Sequence, residues 1–146
     1  TLGGYFGSRL MSNIREDKGY TYGIGSGISS KQEMGNFIIS TEVGKDVTKA
    51  TITEIDKEIN RLQNELIPKE ELHVVKNYIL GALLKNTDGP FDMLGRFQTI
   101  HYNDLENTHY EHFIDEVKAT SAEKIKELAN QHLTDLTVIV AGSKNI

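Results

Sequence analysis

The sequence predicts an α+β domain, an antiparallel sheet with helices packed on one face. Two observations predict the sheet, and a third supplies the helices. Residues 20–28 and 36–43 each alternate with the period of a strand, and a short apolar run, Leu136–Ala141, lies between Asp135 and Gly142. Most of the remaining chain carries apolar residues spaced three and four apart, the spacing of a helix stripe.

Taken in order, the first element reads as a helix that opens on Gly3 and Gly4 and closes at Lys18-Gly19, with Phe6, Leu10 and Ile14 as its buried stripe. Gly19 supplies the stop, because glycine alone enters the left-handed region cheaply. A strand follows in which Tyr20, Tyr22, Ile24 and Ile28 alternate with Thr21, Gly23, Gly25 and Gly27. Its bare face implies close approach of other backbone. A second strand, Asn36–Val43, presents Phe37, Ile39, Thr41 and Val43 and pairs antiparallel with the first through the loop Ser29–Gly35.

Helices take over from there. Ile52, Ile55, Ile59, Leu62 and Leu66 give a long helix over Lys45–Leu66, which Pro68 ends while opening the next at its first position. Glu70 and Glu71 favour the positive end of that second helix, and Leu72, Val75, Ile79 and Leu83 form its stripe. Asp88-Gly89-Pro90 reads as a turn before helices at Phe91–Tyr102 and Thr108–Lys118. Thr120 with Glu123 resembles a capping box for a last helix carried by Ile125, Leu128 and Ala129. Leu136–Ala141 then reads as a buried strand.

Length and charge narrow the functional classes. A chain of 146 residues, 38% hydrophobic and 25% charged, is long enough to bury a core as one domain. A net charge of −5 argues against sequence-blind attraction to nucleic acid or to an anionic membrane surface. No apolar run approaches the roughly 20 residues of a membrane span. The absence of cysteine removes disulfides and thiolate metal ligands but assigns no compartment, so cytoplasm and periplasm stay open.

The glycines do not spell a phosphate site. Gly7-Ser8-Arg9 lacks the Gly-Lys-Ser/Thr of a P-loop, and Gly23, Gly25 and Gly27 lack the kinase spacing and its strand lysine. More informative is the junction where the first helix meets the first strand. Arg15 and Tyr22 fall there, a guanidinium and a phenol able to donate hydrogen bonds to a peptide carbonyl. A capping arginine and a core tyrosine are the plain alternative. Arg9, the other arginine of the stretch, reads as a partner in a structural ion pair.

The stretch LGGYFGSRLMSNIREDKGYTYG resembles the signature of the second, non-zinc half of pitrilysin-type (insulinase-type) zinc metallopeptidases. In that family an Arg and a Tyr, in a segment resembling L-R-E-x-K-G-x-x-Y, help hold the substrate. Here Arg15, Glu16, Lys18, Gly19 and Tyr22 match; Ile14 replaces the common Leu, and Tyr20 adds a second phenol. The resemblance is specific over the first thirty residues and looser beyond them.

What it implies is a clamshell of two halves around an unstructured peptide. One half carries zinc through an H-x-x-E-H motif and a further glutamate; the other supplies the arginine and tyrosine. H-x-x-E-H is absent here. His109 and His112, beside Glu111 and Glu116, are two potential ligands one helical turn apart, but no third is suggested; they read as surface residues, and His73, His101 and His132 as structural ones. The expectation is therefore that residues 1–146 form a single partial, C-terminal, substrate-clamping domain, inactive alone and binding no zinc. Its partners are a peptide substrate and a zinc-bearing half on the same or another chain. Zinc belongs to the full-length enzyme or that partner half. The family's further strands before the Gly-Gly segment are missing, so the sheet reads as incomplete and open to self-association. Two rival readings are a non-catalytic homologue acting as a scaffold and a helix-rich interaction module.

Overall fold

The computed structural model describes residues 1–31, 34–85 and 89–142, and it is an α+β fold. The chain forms two compact units. One contains Thr1–Leu66 and Ile125–Ile146, described as far as Gly142; the other contains Ile67–Lys124.

In the first unit the chain opens irregularly and then enters a π-helix, Met11–Asp17. Two strands follow, β1 (Ile24–Lys31) and β2 (Met34–Thr41), antiparallel in a register that sets Ile24 opposite Thr41 and Ile28 opposite Phe37. Phe37, Ile39 and Thr41 alternate as half-buried residues, as the period-two pattern requires. The strands run further into the expected loop than predicted, pairing Ser29 with Asn36 and Lys31 with Met34; the rest of that loop, residues 32–33, lies outside the described residues. A 3₁₀ turn, Lys45–Val47, leads into α1 (Thr48–Asn64), so the long predicted helix starts tight and ends two residues short of Leu66. Leu2, Leu10, Met11, Ile14, Ile24, Ile59, Leu62 and Ala129 are the buried apolar residues of this unit. Each side chain of Leu or Ile size removed from water contributes about 1.5 to 3 kcal/mol.

The second unit holds α2 (Lys69–Lys85), α3 (Pro90–Tyr102) and α4 (His109–Ala119). Pro68 stands one position earlier than expected: its carbonyl accepts the first bond of α2, from the Leu72 amide at 3.0 Å. Val75 is buried, with Leu72, Ile79 and Leu83 half-buried beside it on the predicted stripe. The Arg96 guanidinium of α3 donates to the Leu83 carbonyl and lies 4.7 Å from the Tyr110 ring centroid, joining α3 to α2 and α4. Asp88 of the predicted turn lies outside the described residues. The last helix, α5, is Ala122–His132.

Four expectations are corrected. Phe6 is 64% exposed instead of buried, because the chain around it is a turn and the stripe begins only at Leu10. Tyr20 and Tyr22 precede the first strand instead of belonging to it. The cap of α5 is Ser121, whose Oγ accepts from the Lys124 amide at 3.2 Å; the Thr120 hydroxyl turns back to the Glu116 carbonyl of α4 at 2.7 Å. Leu136–Ala141 forms no strand, and Ile139 is 87% exposed. A strand exists only as a paired ladder, and among the described residues β1 and β2 pair solely with each other.

Candidate functional site

The site is built on the π-helix and the bend that follows it. A π-turn closes its hydrogen bonds one residue later than an α-turn, a rare geometry that is frequent at functional positions. Here the Lys18 amide reaches the Asn13 carbonyl at 3.2 Å. Gly19, at φ 65°, then takes the left-handed conformation. The amides of Gly19 and Tyr20 return to the carbonyls of Arg15 and Ile14 at 3.1 and 3.0 Å, satisfying two orphan acceptors of the helix end. Gly19 is thus the predicted stop.

The helix is anchored on both flanks. Leu10 and Ile14 are fully buried. Met11 Sδ accepts from the Ile24 amide at 3.4 Å, tying the helix to the first residue of β1. On the α1 side, Asn13 Nδ2 donates to Glu54 Oε2 at 2.9 Å and to Glu58 Oε1 at 2.7 Å. Glu58 is 2% exposed, and Arg61 reaches both its oxygens at 3.1 Å. Lys18 stands 3.6 Å from Glu54. The Asn13 amide holds the Glu54 carboxyl below the ordinary carboxylate range, with the positive charges of Lys18 and Lys57 assisting.

At the front of the chain Gly3 allows a close approach. Its carbonyl accepts from the Ser26 amide at 2.8 Å, and a Cβ on Gly3 would stand 2.7 Å from that same nitrogen. Only glycine fits there. Of the three strand glycines expected to mark close approach, Gly25 alone faces this segment; Gly23 and Gly27 face open space.

Arg15 lies on the π-helix with its guanidinium 4.7 Å from the Phe6 ring centroid, a cation–π arrangement. Among the described residues it forms no ion pair. Tyr22 follows the helix stop and is fully exposed, at 102% relative accessibility. The two donors thus flank one junction, Arg15 half-buried in the last turn of the helix and Tyr22 fully exposed, so the phenol is not a core tyrosine. Tyr20 is half-buried. Arg9 is half-buried, its amide bonded to the Thr1 carbonyl at 3.1 Å.

The bend carrying Tyr22 is held by hydroxyls. Thr21 Oγ1 lies 2.7 Å from the Glu42 carbonyl and accepts from the Gly23 amide at 3.1 Å. Thr41 Oγ1 sits 3.0 Å from both Thr21 Oγ1 and the Gly23 carbonyl. These bonds occupy the groups that a strand ladder would use, which is why β1 starts at Ile24.

Sequence reading missed Thr21, Thr41, Asn13 and Glu58, although signals existed. A hydroxyl two residues before a glycine is a turn pattern. Glu54 and Glu58, like charges four apart on one helix, repel unless a donor bridges them. The histidines stay apart from this site: His73 bonds Asn77 at 2.9 Å, His101 stacks on Phe97, His109 meets the Tyr110 ring edge-on, and His112 and His132 are exposed. Among the described residues no three His, Asp or Glu converge, so those residues offer no zinc-ligand set.

Residues 1–79 match the sequence model of the peptidase M16 inactive domain. Over 134 residues the chain is 26% identical to a Bacillus subtilis (strain 168) protein named uncharacterized zinc protease YmxG, a match covering 92% of this chain and 33% of that protein. A crystal structure of a peptidase M16 inactive domain from Pseudomonas fluorescens superposes with TM-score 0.81 at 28% identity, over 91% of this chain and 32% of the other. A protease from Helicobacter pylori superposes with TM-score 0.84 at 18% identity, over 92% and 32%, a likeness of fold. The chain thus spans about a third of the length of these relatives.

Proposed function

The chain belongs to the peptidase M16 family, as its inactive, non-zinc domain, and from that membership we propose that it is the substrate-clamping half of a zinc-dependent endopeptidase. In this reading residues 1–146 are part of a half-domain whose sheet is completed by strands outside them. The domain holds an unstructured peptide, and hydrolysis takes place at a zinc centre on another half, on the same or another chain. The Bacillus relative that is named a zinc protease supports such a setting.

The observation that supports the reading is that neither Arg15 nor Tyr22 is spent on an ion pair or a core position among the described residues. A guanidinium unpaired by any carboxylate among the described residues and a fully exposed phenol stand at one helix-to-strand junction. Both are donors only partly committed to their own fold. Aimed at a peptide carbonyl, they would orient it, and they would bind its oxygen more strongly as negative charge grows there. The Phe6 ring beneath Arg15 would steady the guanidinium without consuming its N–H groups. An adjoining sheet edge would add affinity through main-chain bonds that are indifferent to sequence.

The test is Arg15→Ala and Tyr22→Phe in the full-length enzyme. Each is expected to reduce peptide turnover, with folding and zinc content preserved; losing one oxyanion donor costs about a hundred- to a thousandfold in comparable sites. Arg15→Lys should recover little, because an ammonium lacks the planar fork. Tyr22→Phe should cost less if Tyr20 or a water takes over. Early melting with normal turnover per folded molecule would make both residues structural and remove the basis of the assignment.

A further inference from the structure

Tyr22 poses a mechanical problem. Its ring is fully exposed, and among the described residues its phenol makes no hydrogen bond. A side chain that touches nothing can be aimed only through its backbone. The backbone here is neither helix nor strand, since Tyr22 lies between the π-helix ending at Asp17 and β1 beginning at Ile24. Left to itself, such a segment would sample many directions.

The two hydroxyls described above remove that freedom. Thr21 has one proton to give and two carbonyls in reach, Gly23 at 2.9 Å and Glu42 at 2.7 Å; the shorter contact directs it to Glu42, just beyond β2. Its lone pairs then receive the Gly23 amide at 3.1 Å. Thr41 Oγ1, within 3.0 Å of Thr21 Oγ1 and of the Gly23 carbonyl, gives its proton to one of them. The residues immediately before and after Tyr22 are thereby tied to the end of β2, through contacts that need a hydroxyl at both positions.

We propose that Thr21, together with Thr41, is a positioning residue: the paired hydroxyls fix the backbone on both sides of Tyr22 and so set where its phenol meets a bound peptide. The inference rests on the reading of Tyr22 as a substrate donor and adds the device that aims it. Glu42 participates only through its carbonyl, so its side chain is not part of the device.

A double-mutant cycle in the full-length enzyme tests this with a quenched-fluorescent, unstructured peptide as substrate. Thr21→Val keeps the shape and loses the hydroxyl. It is expected to lower kcat about ten- to a hundredfold, the scale of a small misplacement of a reacting group, with KM moving less. Thr21→Ser, which restores the hydroxyl, should recover most of that loss. In a Tyr22→Phe background Thr21→Val should change turnover by less than about twofold, because a positioning residue has no effect once the group it positions is gone. Equal losses in both backgrounds, a Thr21→Ser variant as impaired as Thr21→Val, or a lowered melting temperature with unaltered turnover would each overturn the proposal. If Tyr22→Phe lowers turnover and Thr21→Val does not, the positioning role alone fails. If Tyr22→Phe has no effect, the substrate-donor reading fails and takes this inference with it.

Discussion

At the residue scale, one buried hydroxyl among the described residues does nothing for its own fold. Ser8 is 1% exposed, and its Oγ has no hydrogen-bond partner among the described residues. A buried, unanswered hydroxyl carries a desolvation cost of about 1 to 3 kcal/mol. Ser8→Ala is therefore expected to raise the melting temperature without changing the fold, and calorimetry of the two proteins decides it. An unchanged or lower melting temperature would mean that the hydroxyl is answered by something else. Arg15 shows the opposite economy. Its guanidinium lies against an aromatic face and, among the described residues, meets no carboxylate.

At the scale of elements, the bond between the π-helix and α1 is the part most open to measurement. Asn13 bridges Glu54 and Glu58, and the carboxyl of Glu54 is held below its ordinary value of 4.5, first by that hydrogen bond and then by the charges of Lys18 and Lys57. A carboxyl depressed in the folded state contributes stability that is present above its unfolded pKa and lost as the pH falls through the folded one. Glu54→Gln should accordingly flatten the acid limb of a plot of melting temperature against pH, below about pH 4.5, and leave the neutral region nearly parallel to the parent. An unaltered acid limb would show that the contact is not energetically coupled to folding. Much of this architecture was legible beforehand. The α1 and α2 stripes, the Phe37–Ile39–Thr41 alternation and the Gly19 stop all follow from local periodicity and backbone sterics. What could not be read was set by neighbours far along the chain. The extra residue per turn in Met11–Asp17, the Asn13–Glu58 contact across 45 positions and the Thr21–Thr41 pair leave no periodic trace. Leu136–Ala141 is a related case: an apolar run becomes a strand only when it pairs, and this one pairs with neither β1 nor β2. Arg15 and Tyr22 could be named through a resemblance; the full exposure of Tyr22 and the Phe6 face against Arg15 were not readable from letters alone.

At the scale of the whole molecule, β1 and β2 pair only with each other among the described residues, and an unpaired edge is a template for another chain. The chain expressed by itself is expected to associate as its concentration rises and to hold no stoichiometric zinc. Light scattering across a dilution series and metal analysis of the same protein check the two statements. A compact monomer at micromolar concentration with slow amide exchange through residues 20–29 would contradict the first, and one tightly held zinc per chain the second.

The π-helix also changes what a difference in length would mean. An α-helix that gains one residue can absorb it as a π-turn, and losing that residue restores α-geometry. Deleting any single position between Leu10 and Gly19 would thus be tolerable to the backbone, with no bond ladder broken. Yet the side chains inside the segment would be re-aimed: Asn13 or Arg15 would turn away from its present neighbour, and the glycine stop would arrive with different carbonyls behind it. This segment is therefore more sensitive to insertions and deletions than to most exchanges of residue. An alignment gap placed here would conceal a rotation, not merely a shortening.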